Sequence, residues 1–342
     1  MAALASFGTA ALFCGWLASS RSQLQILDHP NERSLHEQPT PRTGGIGIAL
    51  GVAIGWSIVA MGTRVNMPRE LYWLSGAAAL IAFISFLDDR GHLAVRFRLG
   101  VHLLVAVLLV LGGLGLQTVP IPGVAIDLPW GIAELVTILL VVWMTNLYNF
   151  MDGMDGFAGG MAVFGFGTLS VLGGLAQAPV FAGLNMIVAA AAGGFLIVNF
   201  PPARIFMGDT GSTTLGFLAA GMALWGENAG IVPLWISMIL FLPFVADATV
   251  TLIRRLLQGE RVWQAHRTHF YQRLVQAGWN HRRTVLVEYG LMAICSGMAL
   301  LAGRSGPALQ AIILIGSLGL MAAFFWLVCR VEKRHRLLTK AQ

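Results

Sequence analysis

The chain has 342 residues, of which 56% are hydrophobic and only 11% charged, with a formal net charge of +6 and a mean hydropathy of +0.73. Globular chains carry roughly 25% charged residues, so the composition excludes a soluble protein, a disordered chain, a coiled coil and a disulfide-rich secreted scaffold. What remains is one polytopic membrane unit across residues 1–342, whose 41 glycines suit closely packed membrane helices.

A helix needs about 20 apolar residues to cross a bilayer. Eleven apolar runs approach or reach that length: 1–19, 44–62, 71–87, 99–117, 131–148, 158–175, 180–198, 212–226, 231–253, 285–303 and 308–328. They predict an all-α polytopic integral membrane fold with ten or eleven transmembrane helices. The first run lacks a basic n-region and is followed by Arg21, so it reads as an uncleaved helix with the N-terminus outside. Cys14, Cys295 and Cys329 lie in or beside these runs without metal spacing, and are expected as small core side chains.

Eleven crossings sort the connecting segments into two sets. Loops 20–43, 88–98, 149–157, 199–211 and 254–284, with the tail 329–342, hold nineteen of the twenty-two Lys and Arg. The positive-inside rule therefore predicts that these loops and the C-terminus are cytoplasmic. Ten of the sixteen acids lie in the same set, and every histidine except His102, which starts a helix on that face. A polar site at one membrane face disfavours a transporter, whose ionisable groups belong near the bilayer midplane. Only Asp247 and Glu288 lie clearly inside runs.

Loop 20–43 carries His36 and Arg42 among prolines, and reads either as a solvated basic loop or as an anion-binding lip. Gly47, Gly51 and Gly55 follow at the spacing of a helix-packing face. Loop 88–98 opens on Asp88-Asp89. Adjacent carboxylates repel, and need a divalent cation or the nearby Arg90, Arg96 and Arg98. Loop 149–157 contains Asn149, Asp152 and Asp155 and no Lys or Arg, so its carboxylates want an external partner, either Mg²⁺ or a base edge. Loop 199–211 contains Arg204 and runs through Gly208-Asp209-Thr-Gly-Ser212 into a helix start. Free N–H groups there attract phosphate, Asp209 could hold a metal, and Thr210 or Ser212 is a candidate N-cap. Loop 254–284 sets His266, Arg267 and His269 among further arginines. No cysteine completes a zinc site, so anion binding fits better. Asp247 is expected to pair with a cation of this loop, and the basic tail to meet anionic lipid. A positive surface with an acidic centre suits a doubly anionic substrate plus Mg²⁺.

Taken in order, Asp88-Asp89, Asn149-x-x-Asp152-Gly-x-Asp155-Gly, Gly208-Asp209-Thr-Gly-Ser and the late His-rich loop resemble the polyprenyl-phosphate N-acetylhexosamine-1-phosphate transferases. The resemblance runs from Asp28 to about Gly278. The Pro-Thr-Pro-Arg-Thr-Gly-Gly and His-Arg-Thr-His-Phe-Tyr-Gln-Arg-Leu segments are most similar to the O-antigen-initiating branch. The resemblance implies a single transmembrane transferase domain in a bacterial inner membrane, with its active site on the cytoplasmic face. It implies transfer of a sugar-1-phosphate from a UDP-linked N-acetyl sugar to undecaprenyl phosphate, releasing UMP, with Mg²⁺ as cofactor and Mn²⁺ as a substitute. It assigns Asp88 and Asp89 to catalysis, Asn149 and Asp209 to the metal, and Asp155, with Asp152 beside it, to the uracil N3–H. Phosphate binding falls to His269 and Arg267, with His36, Arg42, Arg204 and His266 as further candidates. Membrane lipid is the expected surroundings, nucleic acid is not a partner, and a homodimer is left open. One position departs from the pattern: Tyr271 stands where many relatives have a second histidine, which removes a cation, and Arg267, His266 or Arg273 would have to compensate. A CDP-alcohol-type phosphotransferase and a sugar transporter are the alternative readings.

Overall fold

The computed structural model describes residues 1–19, 22–30, 38–62, 67–91, 93–261 and 266–340. His36 lies outside the described residues. Each apolar run becomes a helix. In chain order these are α1 (Ala2–Leu17), α2 (Gly44–Gly62), α3 (Arg69–Gly91), α4 (Val95–Leu109), α5 (Ile132–Phe150), α6 (Phe157–Leu175), α7 (Pro179–Asn199), α8 (Gly208–Asn228), α9 (Leu234–Leu240), α10 (Leu242–Leu257), α11 (Phe270–Gln276), α12 (His281–Ala302) and α13 (Pro307–Lys340). Two short antiparallel pairs interrupt an otherwise helical chain: β1 (Leu27–Asp28) with β2 (Thr40–Pro41), and β3 (Thr118–Ile121) with β4 (Val124–Asp127). A π-helical turn, Val110–Leu114, continues α4.

The protein is a multi-span helical membrane protein. Among the described residues eight helices are long and apolar enough to cross a membrane. The run 231–253 differs from its expected form: α9 and α10 meet at 83°, and make a ninth span only if taken together. Pro243 at the start of α10 explains the break, because its ring cannot continue the preceding helix. α1 has sixteen residues and is shorter than the eight. α8 is long enough but rich in Gly, Ser and Thr, and stands outside the eight. Burial explains its composition. Every residue from Thr210 to Gly226 is buried, because α8 packs against α2, α3, α5, α6 and α9. A helix sheathed in protein has no lipid to satisfy.

Several expected loops are partly helical. Asp88 and Asp89 end α3, Asn149 ends α5 and Asp209 opens α8. Loop 254–284 contains α11, and the tail continues α13. α13 packs on α11: Phe270 and Phe325 stack at 4.0 Å, and Glu332 Oε2, in the tail expected to meet lipid, lies 2.5 Å from Arg273 Nη2. Cys14 and Cys295 are buried as expected, whereas Cys329 is exposed and accepts from Arg273 Nη2 at 3.3 Å.

The small-residue face of α2 is a packing face. A side chain on Gly47 or Gly51 would run into α1, and one on Gly55 into Ile187 of α7. The tightest approach is between α2 and α8, where a Cβ on Gly45 would overlap the backbone of Gly211. The same contact carries two backbone hydrogen bonds, Gly44 N–H to Phe206 O at 2.9 Å and Gly45 N–H to Met207 O at 2.8 Å. Neither backbone can retreat without breaking these. Gly45→Ala should therefore lower stability by about 1–3 kcal/mol, the usual cost of overpacking. Gly8→Ala, which faces open space, should not. Thermal melts in detergent read both, and equal midpoints for Gly45→Ala and the wild type would show that the contact is not tight.

Candidate active site

The C-terminal ends of α3 and α5 meet the N-terminal ends of α4 and α8 at one end of the bundle. Asp89 is the anchor. Its Oδ1 accepts from Asp209 N–H at 3.0 Å, and its Oδ2 from Thr210 N–H at 2.9 Å and Thr210 Oγ1 at 2.6 Å. The first N–H groups of a helix have no intrahelical partner, and here a carboxylate from another helix takes them. This differs from the expected free phosphate site at that helix start: the anion is already present as Asp89. It also differs from a local N-cap, because Thr210 and Ser212 point elsewhere and α8 has no side-chain cap of its own. Arg42 joins the anchor by donating from Nη2 to Asp89 O at 2.6 Å. Gly208, at φ +70°, lies so close that a Cβ would collide with Arg42 O and press on the Asp89 carboxylate.

Asp88, one residue earlier, faces α4. Its Oδ2 lies 2.9 Å from Arg98 Nη1, and the same Nη1 lies 3.0 Å from Asp209 Oδ2. Leu93 N–H donates to Asp88 Oδ1 at 2.5 Å. Asn149 Nδ2 donates to Asp209 Oδ1 and Ser212 Oγ, both at 2.9 Å. The adjacent Asp88 and Asp89, with Asn149 and Asp209 from distant parts of the sequence, therefore form one cluster in which Arg98 bridges Asp88 and Asp209. Asp152, in the turn after α5, belongs to its field: desolvation, then the charges of Asp209 and Asp89, push its carboxyl well above the ordinary aspartate range. Arg98, one of the arginines expected to balance Asp88-Asp89, does pair with Asp88. Its spacing of ten residues, across a helix break, gave no signal that it would bridge two carboxylates.

The donor set bears on a metal. Among the described residues no group of three or more His, Cys, Asp and Glu side chains is gathered closely enough to hold an ion. However, Asp88 Oδ2 and Asp209 Oδ2 converge on one point, and the group at that point is a cation, Arg98 Nη1. Carboxylate and amide oxygens are the ligands that Mg²⁺ takes. The residues present fit such an ion once Arg98 moves aside.

A second group stands on Asp247 of α10. Asp247 Oδ1 lies 3.0 Å from His269 Nδ1 and accepts from Phe270 N–H at 3.0 Å, while Oδ2 accepts from Tyr271 N–H at 3.2 Å. The loop side chain that Asp247 meets is thus His269, not an arginine. Asp247 also caps α11, and it holds His269 Nδ1 so that Nε2 is the ring nitrogen left for a ligand. The His266 ring lies 4.8 Å from that of His269. Burial, followed by the repulsion of His269 and Arg255, pushes His266 down to about 4. It is neutral at cellular pH, so it donates or accepts hydrogen bonds there rather than acting as a cation.

Tyr271 links the two groups. It is fully buried, its ring stands 4.8 Å from that of Phe157, and a Cβ on Gly153 would strike its hydroxyl. The residue that departs from the expected histidine therefore serves as packing between α11 and the 151–156 turn. Of the three expected compensating groups, Arg273 is engaged by Glu332 and His266 is neutral. Arg267 is exposed and has no ion-pair partner among the described residues. Arg204 is also exposed, on the 200–206 loop. Asp155 is held by Ala203 N–H at 3.0 Å and lies 3.3 Å from His281 Nδ1. It ties that loop and the start of α12 to the site, a link no sequence signal suggested.

The chain is similar to known proteins over most of its length. The family profile described as Glycosyl transferase family 4 matches residues 71–227, the segment from α3 to α8. A probable undecaprenyl-phosphate N-acetylglucosaminyl 1-phosphate transferase of Bacillus subtilis (strain 168) is 32% identical, over 78% of this chain and 74% of its own. The decaprenyl-phosphate N-acetylglucosaminephosphotransferase of Mycolicibacterium smegmatis is 32% identical over 80% and 75%. The undecaprenyl-phosphate alpha-N-acetylglucosaminyl 1-phosphate transferase of Escherichia coli (strain K12) is 26% identical over 93% and 87%.

Removing the Asp247 charge separates its two tasks. Asp247→Asn keeps an acceptor for the α11 N–H groups but weakens the hold on His269. Turnover should fall on the order of tenfold to a hundredfold, the usual cost of losing a carboxylate that orients a functional histidine, with the melting temperature little changed. Asp247→Ala should lose both. Wild-type turnover in a folded Asp247→Asn protein would remove His269 orientation from its role.

Proposed function

The chain belongs to glycosyl transferase family 4, and on that premise we propose that it transfers N-acetylglucosamine-1-phosphate from the UDP-sugar to undecaprenyl phosphate. The proposed products are undecaprenyl-diphospho-N-acetylglucosamine and UMP, and the step begins a cell-envelope polysaccharide. The observation that carries this reading is the cluster of Asp88, Arg98, Asn149 and Asp209 at four helix ends. The names of the relatives support the sugar and the lipid class.

An oxygen of the acceptor phosphate attacks the sugar-bearing phosphorus of the donor. The new P–O bond forms as the bond to the bridging oxygen breaks, and that oxygen leaves on UMP. A phosphate monoester has its second pKa near 6, so most of the acceptor is already dianionic at neutral pH and little proton removal is needed. Asp88 takes the residual proton. The harder task is holding two anions together. Mg²⁺, held by Asp209 and Asn149 with Asp88 beside them, would neutralise charge on the diphosphate and the leaving UMP. Arg98, freed from the two carboxylates, then binds phosphate. Asp89 acts as a positioning residue, because its oxygens already hold the start of α8. His269 and Arg267 bind phosphate from the side of α11. Asp155 reads the uracil by exchanging one of its two present donors for the N3–H.

Purified protein with undecaprenyl phosphate, Mg²⁺ and a panel of UDP-, CDP- and purine-linked sugars tests this by UMP release. UDP-N-acetylglucosamine should be used and CDP- and purine-linked donors refused. Asp209→Asn should cut turnover by two or more orders of magnitude, in the range of losing a main electrostatic group. Asp155→Ala should raise KM for the donor more than it lowers kcat. Full activity of Asp209→Asn, or turnover with no UMP released, would reject the reading.

The proposed site faces the cytoplasm of a bacterial inner membrane, as the charge asymmetry of the loops supports. In a variant lacking the native cysteines, Gln117→Cys should react with an impermeant maleimide in intact cells and Gln258→Cys should not. The reverse pattern would turn the protein over in the membrane.

A further inference from the structure

α2 and α3 both pack on α8 but hardly touch each other. Between them lies a cavity of about 590 Å³, floored by α8 and lined by apolar side chains such as Ala53, Ala79, Ala82, Phe83, Phe86 and Leu218. None of Asp88, Asp89, Arg98, Asn149 or Asp209 lines it. Of the groups at the start of α8, Thr210, which donates to Asp89, lines it, and so does Ile46, next to Gly45.

The few polar groups along the shaft are already paired. Trp56 Nε1 donates to Leu184 O at 3.2 Å, Ser75 Oγ to Leu71 O at 2.6 Å, Thr214 Oγ1 to Thr210 O at 2.7 Å and Thr210 Oγ1 to Asp89 Oδ2 at 2.6 Å. At the loop end Gln25 Nε2 is spent on Leu17 O and Ser19 O. An occupant therefore meets no unsatisfied donor or acceptor along the shaft, which suits hydrocarbon and penalises a nucleotide or sugar. Among the described residues one charged side chain lines the cavity, Arg90, at the end of α3. It is exposed, stands over Phe86 at 5.8 Å, and has no carboxylate partner among the described residues.

We propose that this cavity binds one anionic phospholipid, with an acyl chain in the shaft between α2 and α3 and the phosphate on Arg90. A hydrocarbon shaft with a single cation at its loop-side mouth complements that molecule in both apolarity and charge. The bound lipid does not react, because none of Asp88, Arg98, Asn149 and Asp209 lines the cavity that holds it. Its chain instead fills the wedge beside Thr210, and so supports the helix that carries Asp209.

Delipidated protein titrated with phosphatidylglycerol, phosphatidylcholine or undecaprenyl phosphate, and read by native mass spectrometry without any sugar donor, tests the site independently of the reaction. The wild type should retain a single phosphatidylglycerol in preference to phosphatidylcholine. Arg90→Gln should lose about fivefold of that preference, the worth of one basic side chain near an anionic head group. Ala82→Trp, which fills the shaft, should abolish the adduct. If Ala82→Trp does not fold, Ala79→Phe and Arg90→Gln carry the test. An unchanged adduct in a folded shaft-filling variant, an unchanged head-group preference in Arg90→Gln, or displacement of phosphatidylglycerol by undecaprenyl phosphate at equal concentration would overturn the proposal.

Discussion

A helix that begins inside a protein brings with it N–H groups that nothing in the helix can satisfy. In this chain α8 begins in such surroundings, and the carboxylate of Asp89 receives Asp209 N–H and both the N–H and hydroxyl of Thr210. The partly positive helix end and the full negative charge stabilise each other. The bonds fix the rotation of α3 relative to α8. With Asp89 turned toward α8, the α-helical step of about 100° turns Asp88 toward α4 and Arg90 toward α2. One contact therefore decides which carboxylate faces Arg98, which is consumed as an anchor, and which cation is left beside the cavity.

The close packing of small residues is what lets that contact form. Gly45 brings the start of α2 against Gly211, and the segment 40–45 runs beside 205–207, joined by Phe206 N–H to Pro41 O at 2.7 Å and the two glycine N–H bonds. Arg42 reaches the Asp89 carbonyl from this segment. A larger residue at Gly45 or Gly208 would push the arginine and the aspartate apart, and Gly208 also adopts a φ of +70° that other residues rarely take. The glycines flanking Arg42 and Asp209 thus act on site geometry through the backbone, not only on helix packing.

Elements that rest on local pattern were legible in the sequence. The apolar runs indicate the helices, and the grouping of Asp, Asn and His indicates the end of the bundle where Asp88, Asn149 and Asp209 come together. Elements that rest on tertiary contact were not. Arg98 lies beside Asp88 in sequence, yet its bridge to Asp209 spans 111 residues. Asp247 sits in an apolar helix and finds His269 only because α10 bends back from α9. α11 is a seven-residue helix inside a basic loop, too short for periodicity to reveal. It holds its place through Asp247 at one end and α13 on its side. Tyr271 could be read as a departure from a motif, but its packing against Phe157 and Gly153 was beyond sequence reasoning.

The charge balance of the site joins these parts. Asp88, Asp89, Asp152 and Asp209 lie close enough that two of them raise the pKa of Asp152. Like charges so crowded in a partly desolvated place need positive charge from somewhere. Asp89 draws it from a helix end, and Asp88 and Asp209 share one guanidinium. That shared cation is the only one of the set that can be exchanged without unfolding a helix terminus, since Arg98 is about a third exposed. On the proposed reading, a divalent cation held by Asp209 and Asn149 would supply the charge that Arg98 supplies without it. The Arg98 guanidinium would then be available to phosphate. Carboxylate neutralisation and phosphate binding are thereby coupled through one side chain, which favours binding of the metal and the phosphorylated substrate together over either one alone.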